Sequence, residues 1–251
     1  MISLFTQNLC SWGSGENTIA ERTERFCKLI ELYAPDIIGV QEATPEWRAY
    51  LYSNMHDYEH IGLPRQEGPK GESCDIFWRK DAYTLLSGGT RWLSNTPNVI
   101  SKIENSSHYR VFTWAVLKQK ESEEQILVCN VHTDFISQKV CLEQLKMMVD
   151  FAEEFSLPTV YMGDMNMERH HIGYEYMCDK CTDTWKAATV KERAEVKTSH
   201  DFGIKAKDCD YIFVNEQLKA ETHCVADEKI DGKFVSDHYG IYVRISVQQG
   251  V

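Results

Sequence analysis

Short apolar runs that end on a polar side chain recur along this sequence of 251 residues. Residues 2–7 alternate apolar and polar positions, which predicts a strand that places Asn8 at its end. Residues 36–42 form a nearly continuous apolar run, typical of a strand buried on both faces, and this run ends on Glu42. A third run, residues 159–162, is β-branched and apolar and predicts another buried strand.

The remaining patterns predict an alternation of helices and strands. Phe26, Leu29, Ile30 and Tyr33 have the spacing of an amphipathic helix, which we expect over residues 16–33. The other predicted elements are helices from Thr44-Pro45 onward and over 137–155, and strands at 76–79, 110–117, 125–131, 210–214 and 239–245. We find no internal repeat, low-complexity segment or linker, so one domain over residues 1–251 is the expectation.

A carboxylate and a carboxamide, Asp164 and Asn166, directly follow the strand predicted at 159–162. Alternate side chains of an extended chain share a face, so both groups can enter one site. This pair suits a reaction in which a water molecule is deprotonated and held. A plain polar turn is the alternative interpretation of these residues.

Composition excludes several classes of protein. Asp plus Glu number 38 against 27 for Lys plus Arg, and the net charge of −11 opposes nonspecific capture of a nucleic acid backbone, although a local basic patch is compatible with it. No secretion signal and no run of membrane-spanning length is present, so we expect a cytoplasmic protein with no membrane association. Nine cysteines, an odd count in apolar contexts, favour free thiols in a reducing compartment.

Polar side chains of chemical interest recur at the ends of the predicted strands. A hard divalent cation prefers oxygen ligands, which Glu42 and Asp237 can supply, and histidines can donate protons to a phosphate oxygen. Strand ends that collect carboxylates, amides and two histidines are what a metal-assisted hydrolase needs. The residues in question are Asn8, Glu42, His132, Asp164, Asn166, Asp210, Asp237 and His238.

The order of these motifs resembles that of the endonuclease/exonuclease/phosphatase family, which includes deoxyribonuclease-like enzymes. The resemblance runs almost end to end and rests on Asn8, 36–42, 130–134, 163–166, 210–213 and 236–239. It implies an α/β fold of four layers, in which two mixed β-sheets pack face to face with helices outside. It also implies a site at one end of this sandwich.

The resemblance further implies a role for each matching residue. Glu42 would be the principal ligand of Mg²⁺ or Mn²⁺ and Asp237 a further ligand, and Asn8 nearby would bind the metal or the substrate. Asp164 would activate the water, which Asn166 would hold. His238, braced by Asp210, would contact the phosphate. In the deoxyribonuclease-like branch Glu72 would pair with His132, and Arg110 would face the phosphate, a surface arginine being the alternative.

The implied activity is hydrolysis of a phosphate ester, a small molecule or a nucleic acid, by in-line attack of water. A phosphodiester is the first expectation, and a phosphomonoester of a sugar or inositol is the alternative. An inactive binding module is a third hypothesis, but it predicts substitutions among the site residues, and none of them is substituted. We expect no obligate protein partner.

Four further features leave two interpretations each. Asp208 stands where many family members have a basic residue, so its carboxylate either adds negative potential at the site or points away. Cys178 and Cys181 follow His170-His171, which suggests zinc, but adjacent histidines rarely turn to one metal. Trp12, in a loop just past Asn8, is the tryptophan that we expect to contact substrate, a place in the core being the alternative. Residues 62–73 form either a substrate-facing loop, with Arg65 and Lys70 as its cations, or a flexible surface loop.

Overall fold

The computed structural model describes residues 1–13, 15 and 17–248. Its strands are β1 (Ile2–Asn8), β2 (Ile37–Ala43), β3 (Tyr58–Ile61), β4 (Ser73–Arg79), β5 (Tyr83–Trp92), β6 (Val111–Gln119), β7 (Gln125–His132), β8 (Thr159–Asp164), β9 (Thr182–Asp183), β10 (Val190–Glu192), β11 (Asp210–Val214), β12 (Leu218–Ala226) and β13 (Gly240–Val247). Its α-helices are α1 (Ile19–Tyr33), α2 (Pro45–Asn54), α3 (Gln138–Glu153), α4 (Ile172–Lys180) and α5 (Thr184–Ala187), and residues Asp201–Gly203 form a 3₁₀ turn. None of the described helices is both long and apolar enough to cross a membrane.

The strands form two mixed sheets that pack face to face. The first sheet has the order β10-β12-β13-β1-β2-β4-β3, and the second has the order β5-β6-β7-β8-β11-β9. A buried core that includes Leu4, Ile37, Val160 and Val243 fills the space between them. Successive side chains of a strand point to opposite faces of its sheet. In the central strands one set enters this core and the other set packs against a helix, so both faces of these strands are apolar.

Helices cover the outer faces of both sheets. Phe26 of α1 and Trp47 of α2 pack on the first sheet, whereas α3 and α4 pack on the second through residues such as Leu145 and Met177. Thr18 caps α1 in a capping box with Glu21. The predicted α/β sandwich of four layers is confirmed. The predicted start of the first helix, residue 16, lies outside the described residues, and the described helix begins at Ile19.

The sheet register brings distant polar residues side by side. In the second sheet, His132 at the end of β7 is opposite Asp164 at the end of β8, and Asp164 is opposite Asp210 at the start of antiparallel β11. In the first sheet, Asn8 at the end of parallel β1 is opposite Gln41, which precedes Glu42 in β2. Packing of the two sheets therefore gathers these strand ends at one end of the sandwich.

Candidate active site

The carboxamide of Asn8 joins the carboxylates of both sheets. Its Nδ2 donates hydrogen bonds to Glu42 Oε1 at 3.0 Å and to Asp164 Oδ2 at 2.9 Å. Its Oδ1 accepts a hydrogen bond from the backbone N–H of Cys10 at 2.9 Å, which fixes the orientation of the amide. In this orientation the amide N–H groups of Asn8 point at the carboxylates of Glu42 and Asp164 and hold them in position. The amide oxygen of Asn8 points away, towards the backbone of Cys10.

Glu42 has an unusual backbone that aims its side chain. Its φ is +58°, in the left-handed region, and the register of β2 against β4 shifts between Val40 and Ala43. Such a bulge re-aims a side chain, and a non-glycine residue in this region is strained. Glu42 Oε2 accepts a hydrogen bond from Ser11 N–H at 2.7 Å. Burial alone would raise the pKa of Glu42, but the hydrogen bonds from Asn8 and Ser11 outweigh it and lower the pKa.

His238 and Asp210 form a buried ion pair. Nδ1 of His238 donates to Asp210 Oδ2 at 2.8 Å, and the carbonyl of His238 accepts a hydrogen bond from Gln7 Nε2 at 2.7 Å. Burial alone would lower the pKa of His238, but Asp210, Asp164 and Asp237 raise it to about 10. The imidazole is therefore a cation at neutral pH.

Asp164 lies between the two histidines. One oxygen or nitrogen from each of Asp164, Asp210 and His238 falls within 4.8 Å of the others. Burial and the charge of Asp210 raise the pKa of Asp164 to about 6. Nε2 of His132 lies 3.6 Å from Asp164 Oδ2. Burial, followed by the charges of Arg110 and Arg65, lowers the pKa of His132 well below its ordinary value, so this imidazole is neutral.

Asn166 is hydrogen-bonded to Asp164, and Asp237 lies close enough to His238 and Glu42 to interact with their charges. Asn166 has a φ of +46°; its N–H donates to Asp164 Oδ1 at 2.9 Å and its Nδ2 donates to the Thr133 carbonyl at 3.0 Å. Asp237 Oδ1 accepts a hydrogen bond from Ser236 Oγ at 3.2 Å. Burial raises the pKa of Asp237, although the charge of His238 opposes this shift.

A cavity of about 240 Å³ opens between these carboxylates and two arginines. Arg110 is buried, and its ordinary pKa is lowered by burial and by the neighbouring charge of Arg65. The carboxylate of Glu72 forms an ion pair with Arg65 Nη1 at 2.9 Å. The residues that line this catalytic cavity are Glu42, Arg65, Glu72, His108, Arg110, His132, Phe135, Asp164, Asn166 and His238.

In the described residues Glu72 forms its ion pair with Arg65 and none with His132, so the expected pairing of Glu72 with His132 stays a prediction. The loop that carries Glu72 closes on itself through a hydrogen bond from Arg65 N–H to the Glu72 carbonyl at 2.8 Å, which sets the two side chains beside each other. Both Glu72 and His132 line the catalytic cavity, but the ion pair of the glutamate is with the arginine and the close ionic contact of the histidine is with Asp164.

The charges on the carboxylate side fit a divalent cation. Within the described residues, Glu42 forms no ion pair with a lysine or arginine, and Asp210 Oδ1 is buried without a hydrogen-bond partner. Burial raises the pKa values of Asp164 and Asp237, which shows that their negative charges are incompletely compensated. Oxygen donors of this kind are what a hard divalent cation prefers.

Comparison with known proteins decides the family. The model of the endonuclease/exonuclease/phosphatase family matches residues 12–238. The chain belongs to this family. Human tyrosyl-DNA phosphodiesterase 2 is 23% identical over 266 residues, which cover 98% of this chain and 68% of the relative. The chain thus spans about two thirds of the length of that relative.

Solved structures of the family share the fold. A family member from Bacteroides vulgatus has a TM-score of 0.92 and 24% identity, covering 98% of this chain and 99% of its own. A mannosyl-6-phosphatase from Bacteroides thetaiotaomicron has a TM-score of 0.90 and 23% identity, covering 98% and 100%. The predictions of the family and of an enzyme that hydrolyses phosphate esters are confirmed.

The residue that departs from the family pattern, Asp208, is neutralised by two cations. Its Oδ2 lies 2.6 Å from Arg169 Nη1 and 2.6 Å from Lys197 Nζ. Asp208 does not line the catalytic cavity. The two cations therefore neutralise the charge of Asp208, which adds little negative potential at the catalytic cavity.

The zinc interpretation of Cys178 and Cys181 lacks a ligand set. His171 caps the N-terminus of α4, whereas Cys181 follows its C-terminus, about 13 Å away along a helix of nine residues. In the described part of the chain, the group of three metal-binding side chains is Asp164, Asp210 and His238. Both cysteines are free thiols.

Three cavity residues were absent from the predicted site: Arg65, His108 and Phe135. Arg65 lies in the loop that was predicted to face the substrate, so a signal for it existed. Phe135 follows directly after the family motif at 130–134, and His108 precedes Arg110 by two residues. Trp12 is 55% exposed and packs edge-on against Phe202, with ring centroids 5.6 Å apart, outside the catalytic cavity.

Proposed function

We propose that this family member hydrolyses a phosphodiester with the aid of Mg²⁺ or Mn²⁺. The observation that carries the proposal is the division of the catalytic cavity into a carboxylate side and an arginine side. Carboxylates can hold a cation and deprotonate water, whereas guanidinium groups bind phosphate oxygens in a bidentate manner. A phosphate group between the two sides would contact both.

On the carboxylate side, Glu42 and Asp237 would hold the cation, which when bound polarises the phosphate and lowers the barrier to attack. Asp164, whose pKa is about 6, is ionised at neutral pH and accepts the proton of the attacking water. The water is held by Asn166, whose own N–H bond to Asp164 keeps the two groups together. Asn8 fixes the direction of the Glu42 and Asp164 carboxylates through its two hydrogen bonds.

The opposite groups stabilise negative charge in the transition state. The His238 imidazolium, held by Asp210, donates its Nε2–H to a phosphate oxygen. Arg110 binds a second oxygen, and the neutral imidazole of His132 contributes a hydrogen bond. Donors that are already held in place need no reorganisation during the reaction.

The charge of the catalytic cavity favours a diester. With the cation bound, Glu42, Glu72, Asp164, Asp210 and Asp237 supply five negative charges in and around the cavity, and Arg65, Arg110, the His238 cation and the divalent ion supply five positive charges. A diester brings one negative charge to this balanced cavity, whereas a monoester brings about two at neutral pH. The relative named tyrosyl-DNA phosphodiesterase 2 agrees with a diester. The fold shared with a mannosyl-6-phosphatase favours the monoester as the second candidate.

A substrate panel tests this function. We expect bis-p-nitrophenyl phosphate to be cleaved at least about tenfold faster than p-nitrophenyl phosphate and mannose 6-phosphate, with either metal and not with a chelator. Plasmid DNA, single-stranded RNA and inositol phosphates then identify the substrate class. Purified Asp164→Asn serves as the control for contaminating enzymes. Faster cleavage of the monoesters would replace the diester proposal with the second candidate.

A further inference from the structure

A second cavity, of about 260 Å³, adjoins the catalytic cavity. We call it the lateral groove. Phe135 and Asn166 line both spaces, so they form the boundary between them. A group attached to a phosphate in the catalytic cavity can therefore extend into the lateral groove. Nothing in the proposed hydrolytic chemistry uses the groove.

Two helices direct their N-termini at the lateral groove. Ser137 and Gln138 at the start of α3, and His170 and His171 at the start of α4, are among its lining residues. The N-terminus of a helix carries unpaired N–H groups and the positive end of the helix dipole. Two such ends at one groove favour an anion there.

A buried histidine supplies an independent donor. The side chain of His171 is 7% exposed, and its Nδ1 accepts a hydrogen bond from Gly173 N–H at 2.9 Å. Burial lowers the pKa of His171, so the ring is neutral and its proton lies on Nε2. Nε2 has no partner among the described residues, although His171 lines the groove. This N–H is a donor with no acceptor from the protein.

The carboxylates of the groove are largely occupied by hydrogen bonds and ion pairs, whereas its lysine has no ion-pair partner in the described chain. Asp134 accepts hydrogen bonds from the N–H groups of Ile136 and Ser137, and Asp208 pairs with two cations. Lys207, an exposed side chain, lines the groove, interacts with the Cys209 side chain and forms no ion pair with a carboxylate in the described chain. Glu168 is the remaining carboxylate of the groove, and it is exposed.

We propose that the lateral groove binds a second phosphate group of the substrate, beside the one that is hydrolysed. The Nε2–H of His171, the ammonium of Lys207 and the backbone N–H of Gln138 in the first turn of α3 are its donors. The adjacent phosphate of a nucleic acid strand and the second phosphate of a sugar or inositol bisphosphate offer the same chemistry. The expected effect of the second phosphate on the rate of cleavage rests on the proposed hydrolysis. Binding of the second phosphate in the groove does not depend on it.

Matched substrates with and without the second phosphate test the proposal. The nucleotide arm compares the 3′- and 5′-(4-nitrophenyl phosphate) esters of thymidine with the same esters phosphorylated at the other hydroxyl. The inositol arm compares inositol 1-phosphate with inositol 1,4-bisphosphate. We expect a gain in kcat/KM of at least about tenfold from the second phosphate in one arm, equivalent to about 1.4 kcal/mol. The arm that shows the gain identifies the source of the phosphate.

Two variants locate the gain. Lys207→Gln removes the charge, and His171→Asn keeps an accepted helix cap but removes the Nε2–H. Each variant should reduce the ratio of kcat/KM for the substrate with the second phosphate to kcat/KM for the substrate without it, by at least about threefold. A general loss of activity lowers both values alike and leaves this ratio unchanged. The control is Lys205→Gln, which removes a charge that pairs with Asp201 and does not line the groove; its ratio should match the wild type.

Calorimetry separates this proposal from the proposed hydrolysis. Thymidine 3′,5′-bisphosphate should bind at least about tenfold more tightly than thymidine 5′-monophosphate, and Lys207→Gln should remove the difference, whether or not either ester is cleaved. Equal affinities, or a difference that both groove variants retain, would overturn the second-phosphate site. Absence of hydrolysis with the binding difference intact would overturn only the diester function.

Discussion

Replacement of Asp210 by asparagine should convert the His238 cation into a neutral ring. Asn is close in shape to Asp and its carbonyl oxygen can still accept the hydrogen bond from His238 Nδ1, which is 2.8 Å in the wild type. The negative charge that contributes most to raising the pKa of His238 is lost, however. Burial, which disfavours the charged imidazole, then lowers the pKa of His238 with fewer negative charges to oppose it.

The magnitude follows from the two pKa values. With a pKa of about 10 the ring is almost fully protonated at pH 8, whereas at the ordinary value of 6.5 about 3% is protonated. If only the protonated form is active, kcat/KM at pH 8 falls about 30-fold. The alkaline limb of the pH profile moves down from about 10 by two pH units or more. The ion pair stabilises the fold fully below about pH 6.5, and this stabilisation is lost as the pH rises through about 10.

The assay is kcat/KM for bis-p-nitrophenyl phosphate between about pH 6 and pH 10.5, with the C–H resonances of the imidazole ring followed by NMR. Asp208→Asn is the control, because that carboxylate is paired with Arg169 and Lys197 and should leave the alkaline limb in place. An Asp210→Asn enzyme that keeps its alkaline limb near pH 10 and loses less than about threefold at pH 8 would refute the reasoning.

Further outcomes follow from the site. Because the pKa of Asp164 is raised to about 6, kcat/KM should fall below that pH, and Asp164→Asn should lose about a thousandfold in kcat. In urea unfolding at pH 8 with a chelator, Asp164→Asn should be more stable than the wild type by up to about 3 kcal/mol. The reason is that ionisation of the buried Asp164 lowers the free energy of unfolding of the wild type as the pH rises from about 4 to 6. A variant less stable than the wild type would contradict this. Mg²⁺ should raise the Tm of the wild type but not of Glu42→Gln, and an equal rise in both would place the cation elsewhere. Arg110→Met should lower kcat/KM about 100-fold, whereas steady-state constants within twofold of the wild type would remove Arg110 from phosphate binding.

Two long strands that the sequence analysis did not predict, β5 and β12, each contain a shift of the pairing register. In β5 the pairing register shifts between Leu85 and Ser87, and in β12 it shifts between Ala220 and Thr222. A shift by one residue reverses which side chains face the core, so the alternation that identifies a strand is lost. Residues 210–214, which contain no such shift, form β11 with the predicted bounds.

The site residues that lie at strand ends could be found from the sequence, because strand ends can be recognised from local sequence patterns. Contacts between side chains that a folded loop brings together could not be found in this way. Asn8, Glu42, Asp164 and His238 all follow or precede apolar runs, and they meet where the sheet register requires. The Arg65–Glu72 ion pair depends on how a glycine- and proline-rich loop folds back, for which the sequence carries no periodic signal. The single domain and the individual catalytic roles stay predictions.

The two hydrogen bonds of the Asn8 amide connect a strand of each sheet through one nitrogen atom. Both acceptors cannot stay within reach if the sheets slide or separate at this end, because N–H···O hydrogen bonds in proteins span only about 2.7–3.2 Å. Local opening of the molecule here would thus disperse the catalytic groups at once. Amide hydrogen exchange of the strand ends and loss of turnover should therefore follow the same denaturant dependence, as two readouts of one cooperative unit.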